Sequence, residues 1–186
     1  ETEAGEAYPA AGTPWFDALF GRDSLIIGLQ TLAFRPGIAR ETLKALARWQ
    51  GTELDPRHDE EPGKILHEYR RGEVSMVGEQ PGRPYFGSID ATPLFLLLAA
   101  EYYAWTADRR LLQQLRPNVL AAIDWLYRYG DMDGDGYVEY QKRSARGLVN
   151  QGWKDSEDAI VHADGSLPEP PIALAEVQGY VYAAKR

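Results

Sequence analysis

The sequence predicts an all-α domain, and three observations carry that prediction. Ala91 to Ala107 is apolar nearly all round, through Leu94, Phe95, Leu96, Leu97, Leu98 and Ala99, and a helix with no polar face has to be buried on every side. The stretch after it, Arg109 to Tyr129, is one-faced: Leu112, Leu115, Val119, Ile123 and Leu126 form a stripe that excludes Gln113, Gln114 and Asp124. A buried helix followed by a one-faced helix is what an inner ring wrapped by an outer ring requires. Third, the helical segments are joined by long Gly/Pro-rich connections that carry the unusual residues, which puts any chemistry at the loop end of the array.

Taken in order, residues 1–22 hold Gly5, Pro9, Gly12, Pro14 and Gly21 and read as irregular, the first thirteen as a lead-in to the domain. A helix is expected from about Asp23, with Asp23 or Ser24 as N-cap and Leu25, Ile26, Leu29 and Leu32 along its apolar side. A second follows Pro36-Gly37 and carries Ile38, Leu43, Leu46 and Trp49 among good helix formers. Residues 51–90 are rich in charge, and prolines and glycines recur from Pro62 to Pro84, which predicts a long excursion with room for a short hairpin. Pro117 is expected to kink the one-faced helix. Pro170-Pro171 opens a last helix, Ile172 to Arg186.

Composition narrows the function. The chain has 186 residues, 44% apolar, enough for one core, and 26% charged, which suits a folded chain. Its net charge is −8 with no basic stripe, so a nucleic-acid partner is not expected; a neutral sugar suits it well. There is no cysteine, hence no disulfide framework or thiolate chemistry. The longest apolar run, Leu94 to Ala100, is far too short for a membrane span. Residues 1–6 show no leader pattern, so a cytoplasmic location is expected. Without an initiator Met, and stopping inside a helical pattern, the chain reads as a segment of a longer protein.

Four segments carry candidate chemistry. In Pro14 to Ser24, Trp15 and Phe16 precede the Arg22-Asp23 pair. Aromatic faces cover sugar C–H surfaces while charged groups bind vicinal hydroxyls, although a helix cap with an exposed ion pair would look the same. In Tyr85 to Thr92, Asp90 is either the N-cap of the buried helix or a carboxylate facing a cavity. In Asn150 to Ala159, Asp155, Glu157 and Asp158 crowd beside Trp153; in a helical turn Asp155 and Asp158 would share a face, and crowding against an apolar wall raises one carboxyl towards a general acid. The alternative is a solvated acidic turn. In Asp131 to Glu139, Asp131, Asp133, Asp135 and the Tyr137 carbonyl match the first half of a calcium loop. Lys142 stands where its closing Glu is needed, which leaves either a calcium site with Glu139 as ligand or a polar turn. The three histidines, His58, His67 and His162, form no ligand pair, and no nucleophile elbow, P-loop or dinucleotide fingerprint is present.

Five motifs stand in order: Pro14-Trp15-Phe16 running into Gly21-Arg22-Asp23-Ser24; Gly63 to Glu68; Ser88 to Thr92; Gln151 to Ser156; and Glu176 to Tyr180. Together they resemble the bacterial amylo-α-1,6-glucosidase (glycogen-debranching) family and its six-hairpin glycosidase relatives, which include glucoamylases, trehalases and processing α-glucosidases. The resemblance covers nearly the whole chain from Pro14 onward. It implies an (α/α)6 toroid, of which about half the helices are present, and inverting hydrolysis of an oligosaccharide or glucan. It implies a glucose clamp at Arg22 and Asp23. Set against the trehalase-like pattern, the acid falls at Asp158; set against the eukaryotic-type debranching pattern, at Asp155; the first placement is favoured. Glu68, Asp90, Trp153, Lys154 and Gln178 are implied to line the sugar site. No cofactor is required, and the structural calcium is the one candidate.

The general base of these relatives is a Glu far downstream, so the resemblance implies that residues 1–186 are a partial catalytic domain, inactive alone, whose partner is the remainder of that domain. The competing expectations are another sugar enzyme on the same toroid, because fold does not fix function, and a calcium-dependent binding module built on Asp131 to Glu139. Linkage specificity is not legible.

Overall fold

A computed structural model describes residues 7–12, 14–15, 17–70 and 84–186. Among them are five α-helices, and the chain is mostly helical. The elements run β1 (Leu19–Phe20), α1 (Gly21–Thr31), α2 (Pro36–Arg48), β2 (Glu68–Tyr69), α3 (Ala91–Thr106), α4 (Arg109–Trp125) with a π-turn at Leu126–Gly130, β3 (Glu139–Tyr140), β4 (Ile172–Ala173) and α5 (Ala175–Lys185). Two antiparallel ribbons, β1 with β2 and β3 with β4, interrupt the expected all-helical pattern.

The apolar α3 is the centre of the array. It packs against α1, α2, α4 and α5, and its buried residues include Leu94, Phe95, Leu96, Leu98 and Tyr102. The one-faced α4 covers α3 from outside through Leu111, Leu115, Ala122 and Trp125. Between them the chain reverses at Ala107, whose φ of 53° costs about 1 kcal/mol for a residue with a Cβ, and Asp108 caps α4 by accepting the amides of Arg110 and Leu111. The helix runs on through Pro117 as one element. No helix of the described residues is long and apolar enough to cross a membrane.

Two helix starts differ from the sequence-based expectation, and one expected cap makes no bond. Helix α1 begins at Gly21, so Asp23 and Ser24 lie in its first turn and cap nothing. The amide of Gly21 donates to His67 O at 2.8 Å, and a Cβ there would run into the Leu66 carbonyl. The ribbon partner thus sets where the helix starts, and only glycine permits the approach. Helix α5 begins at Ala175, because Ile172 and Ala173 are drawn into the ribbon with Tyr140 and Glu139. Asp90 occupies the N-cap position of α3 but makes no capping hydrogen bond.

Residues 51–70 do not wander through solvent. Asp55, His58, Asp59, Glu60, Glu61 and Lys64 are all buried, under the ends of the helices. Buried charges need partners, and Glu61 has three: Lys64 Nζ at 3.6 Å, Arg143 Nη2 at 3.0 Å and the Trp125 indole N–H at 2.8 Å. Asp55 and Glu60 form an isolated antiparallel bridge, while residues 71–83, the greater part of the Pro62–Pro84 stretch expected to hold a short hairpin, lie outside the described residues.

Candidate functional site

Arg22, one residue into α1, points inward and is held at both ends of its guanidinium. Nε donates to Asp90 Oδ2 at 2.5 Å and Nη2 to the Gly152 carbonyl at 2.7 Å. Asp90 spends its other oxygen on the Ser88 hydroxyl at 2.7 Å. Its side chain is 2% exposed and that of Arg22 11%. The charge pair expected at Arg22 and Asp23 is therefore Arg22 with Asp90. Adjacent helical residues point about 100° apart, and Asp23 is left exposed.

Behind this pair stands the second motif. His67 is buried between the rings of Phe20 and Tyr85, each edge-on at 5.8 Å. Burial pushes its imidazole down to about 3, helped by the charges of Arg22 and Arg70, so the ring is neutral at physiological pH. Its Nδ1 is buried without a partner among the described residues. An unpaired acceptor costs less than an unpaired N–H in such a place, which puts the ring proton on Nε2. Glu68 is 4% exposed and paired to Arg70 at 2.7 Å. Burial raises its carboxyl against the opposing pull of Arg70, and the charge of Asp155 raises it further. Asp155 thus lies within electrostatic reach of Glu68.

The fifth motif supplies Glu176 and Tyr180, one turn apart on α5. Burial raises the Tyr180 phenol, Asp90 and Glu176 add to it, and Arg22 opposes. A Cβ on Gly152 would lie 3.8 Å from Glu176 Oε1. Residues at i and i+4 share a helix face, and Gln178, between them, turns away. Its amide exchanges two hydrogen bonds with Val138, at 2.9 and 2.7 Å, and adds one to Leu174 O at 3.2 Å. Gln178 ties α5 to the β3 segment, whereas the sequence expectation put it on the sugar.

The remaining expectations divide. Trp153, Lys154, Asp155 and Asp158 are all exposed on a segment of turns and bends, so Asp155 and Asp158 do not share a helical face. Asn150 fixes this segment through Ser156 O at 2.6 Å. Asp155 is joined to the site by its effect on Glu68; Asp158 sits in the turn closed by the Ala159 amide on Ser156 O. Trp15 is 84% exposed at the tip of the loop bridged by Ala11 and Ala18. Phe16 lies outside the described residues. A cavity of about 420 Å³ opens beside the same segment, lined by Lys142, Val149, Asn150, Glu157, Ile160 and Leu167 among others; Arg22 and Asp90 are not part of its wall.

In the acidic loop, ligand oxygens of Asp131, Asp133 and Glu139 lie within 4.8 Å of one another and could hold a divalent cation. Asp135 is not part of that group; its carboxylate accepts the Tyr137 amide at 2.8 Å. Burial raises Glu139, the Met132 amide at 3.0 Å opposes, and Asp133, Asp135 and Asp131 raise it again.

Sequence reasoning missed Asp59, Glu176 and Tyr180. Asp59 was hidden in an Asp-Glu-Glu run that reads as solvated charge, and the other two lay in a motif credited to Gln178. Among known proteins, no family model matches the chain and no curated protein matches it.

Proposed function

We propose that this chain is the glucose-clamping and acid-bearing part of an inverting α-glucosidase of the amylo-α-1,6-glucosidase type, on an (α/α)6 toroid. The observation that carries the reading is the buried Arg22–Asp90 pair at the starts of α1 and α3, closed on the Gly152 carbonyl of the segment that bears Asp155. The packing of α1, α3 and α5 in one row, with α2 on α1 and α4 on α3, supports a toroid of inner and outer helices. In this reading Arg22 and Asp90 hold the hydroxyls of the terminal glucose. Trp153 covers its apolar face, and Glu68 and Tyr180 line the wall.

The acid is assigned to Asp155, which follows by three residues the Gly152 carbonyl held by Arg22, with Asp158 further along the same segment as the alternative. It protonates the glycosidic oxygen as the bond to C1 breaks, while water, deprotonated by a carboxylate on the opposite face, adds to C1 and yields β-glucose. That base is a Glu contributed from outside residues 1–186, so the rest of the catalytic domain is the partner and a glucan the substrate. No cofactor enters the reaction, and a cysteine-free chain suits the cytoplasm.

The test is β-glucose release from a branched maltooligosaccharide by the chain joined to its base-bearing remainder. The Asp155→Asn variant is expected to lose roughly 10²–10⁴-fold in rate, and Asp158→Asn to keep most of it. The reverse pattern moves the acid to Asp158. No release by the parent protein sinks the reading and leaves other sugar chemistries of the toroid. A second reading, a calcium-dependent binding module, rests on the Asp131, Asp133 and Glu139 group. Unfolding on chelation, with no sugar binding, would favour it.

A further inference from the structure

The loop that brings Gly152, Trp153 and Asp155 to the site has few secondary-structure bonds of its own, and one buried carboxylate supplies several of the bonds that fix its course. Asp59 is 2% exposed. Its Oδ1 accepts the amides of Arg143 and Ser144, both at 2.8 Å, and its Oδ2 accepts the Tyr85 hydroxyl at 2.9 Å and Gln151 Nε2 at 3.4 Å. The Tyr85 oxygen in turn accepts the Leu148 amide at 2.8 Å. Gly147 passes so close that a Cβ would lie 2.6 Å from the Tyr85 oxygen and 2.7 Å from Asp59 Oδ2. The carboxylate and the phenol therefore form a peg around which residues 143–151 are wound.

The same peg reaches the other wall of the site. The Tyr85 carbonyl accepts the amides of His67 at 2.7 Å and Glu68 at 3.2 Å, and its amide donates to Glu68 O at 2.9 Å. At the far end of the loop, Gln151 O accepts the Ile89 amide at 2.9 Å, one residue before Asp90. Asp59 itself holds a φ of 52°, a conformation that L-residues with a Cβ adopt only when their surroundings fix it. Its main-chain oxygen accepts Lys64 Nζ at 3.2 Å.

We propose that Asp59 is a positioning residue: acting through Tyr85, it sets the register of the Asp155 loop against the His67-Glu68 strand. The inference rests on the glucosidase reading for the identity of the reaction, but the link itself is structural and separately measurable. Asp59 touches no substrate. It fixes where the Asp155 carboxyl and the Gly152 carbonyl stand relative to a clamp held independently by α1 and α3. A displacement of about 1 Å in a reacting group is enough to cost roughly 10²-fold in rate.

The test compares the parent protein with Tyr85→Phe and Asp59→Asn, the first keeping the buried ring in place should the second fail to fold. Amide hydrogen exchange is followed at Arg143, Ser144 and Leu148 and across α1 to α4. β-Glucose release is measured on the same proteins, joined to the base-bearing remainder. In Tyr85→Phe, exchange at Leu148 is expected to rise at least about ten-fold while the helices keep their protection. The value of kcat falls about ten-fold or more, with KM within about two-fold. Unchanged exchange at Leu148 would overturn the proposal, as would an equal loss of protection across the helices, which marks a general stabilising role. So would a fall confined to KM. If the parent protein releases no glucose, the glucosidase reading fails by itself, and the exchange pattern alone upholds or overturns the peg.

Discussion

Breaking the Arg22–Asp90 pair should cost far more than breaking an ordinary ion pair of this chain. Surface pairs such as Arg128 with Asp124, whose side chains are 69% and 53% exposed, are worth about 0–1 kcal/mol. Asp90 is almost fully buried, and Arg22→Met leaves it with the Ser88 hydroxyl alone while also stripping the Gly152 carbonyl of its donor. Two charge-assisted hydrogen bonds of about 1.5–3 kcal/mol each are lost, in line with the roughly 3–5 kcal/mol paid when one member of a buried pair is removed. A loss of about 4 kcal/mol is expected for Arg22→Met and about 2 for Asp90→Asn, which retains an oxygen for Ser88 or Arg22. The double variant, with no buried charge left unpaired, should lose only about 3 kcal/mol, so the two changes couple by about 3 kcal/mol. Urea denaturation of the four proteins at pH 7 measures the cycle. Effects that add to within about 0.5 kcal/mol would mean a solvated pair and would refute the dry clamp.

Three further outcomes follow from single groups. His67 stays neutral in the folded chain down to about pH 3 but protonates near 6.5 when unfolded, so acid favours unfolding and stability falls as pH drops below about 6.5. Between pH 6.5 and 4.5, the parent should lose about 2–3 kcal/mol more than His67→Gln, read from urea curves. Glu139 is raised on folding, so its charge opposes the fold and the penalty grows as pH rises through its folded pKa. In chelating buffer, Glu139→Gln should raise the Tm at pH 7 and lose that advantage below about pH 4. Gln178→Ala should lower stability by about 2 kcal/mol, through its bonds to Val138 and Leu174, and leave calorimetric binding of a basic glucose mimic unchanged.

The helices were legible because their signal is local. An apolar run at Ala91 to Ala107 has one burial solution, and Pro36 at the first position of α2 announces its start. What escaped were features decided by distant partners. Nothing near Gly21 says that a strand some forty-five residues away will start its helix, or that Ile172 will pair with Tyr140 instead of joining α5. The candidate site was legible as a set of motifs and illegible as a set of directions. Arg22, Glu68, Asp90 and Asp155 come together, whereas Asp23 and Gln178 face elsewhere because a one- or two-residue step on a helix turns a side chain by 100° or 200°. Glu176 and Tyr180, at i and i+4, were the pair that helical geometry favoured. Asp59 could not be found from the run Asp59-Glu60-Glu61, since a charge cluster looks solvated until its partners, here two amides from beyond position 142, are known.

The arrangement of carboxyls has a consequence for chemistry that no single residue shows. Asp90 and Glu176 stand at the N-terminal ends of α3 and α5, where the helix dipole favours an anion, and Asp90 also has a guanidinium against it. Glu68 lies on a strand, with no helix terminus to help it, and burial together with Asp155 pushes it towards the protonated form. Environments that drive neighbouring carboxyls apart are how one site holds an acid and an anion at the same pH. On this argument the partner that loses most from Glu68→Gln is Asp155. If Glu68 and Asp155 act together, the variant should lose about ten-fold or more in kcat with KM within about two-fold. An unchanged kcat would show that Glu68 and the acid do not act together, and Asp155 would lose its claim to the role.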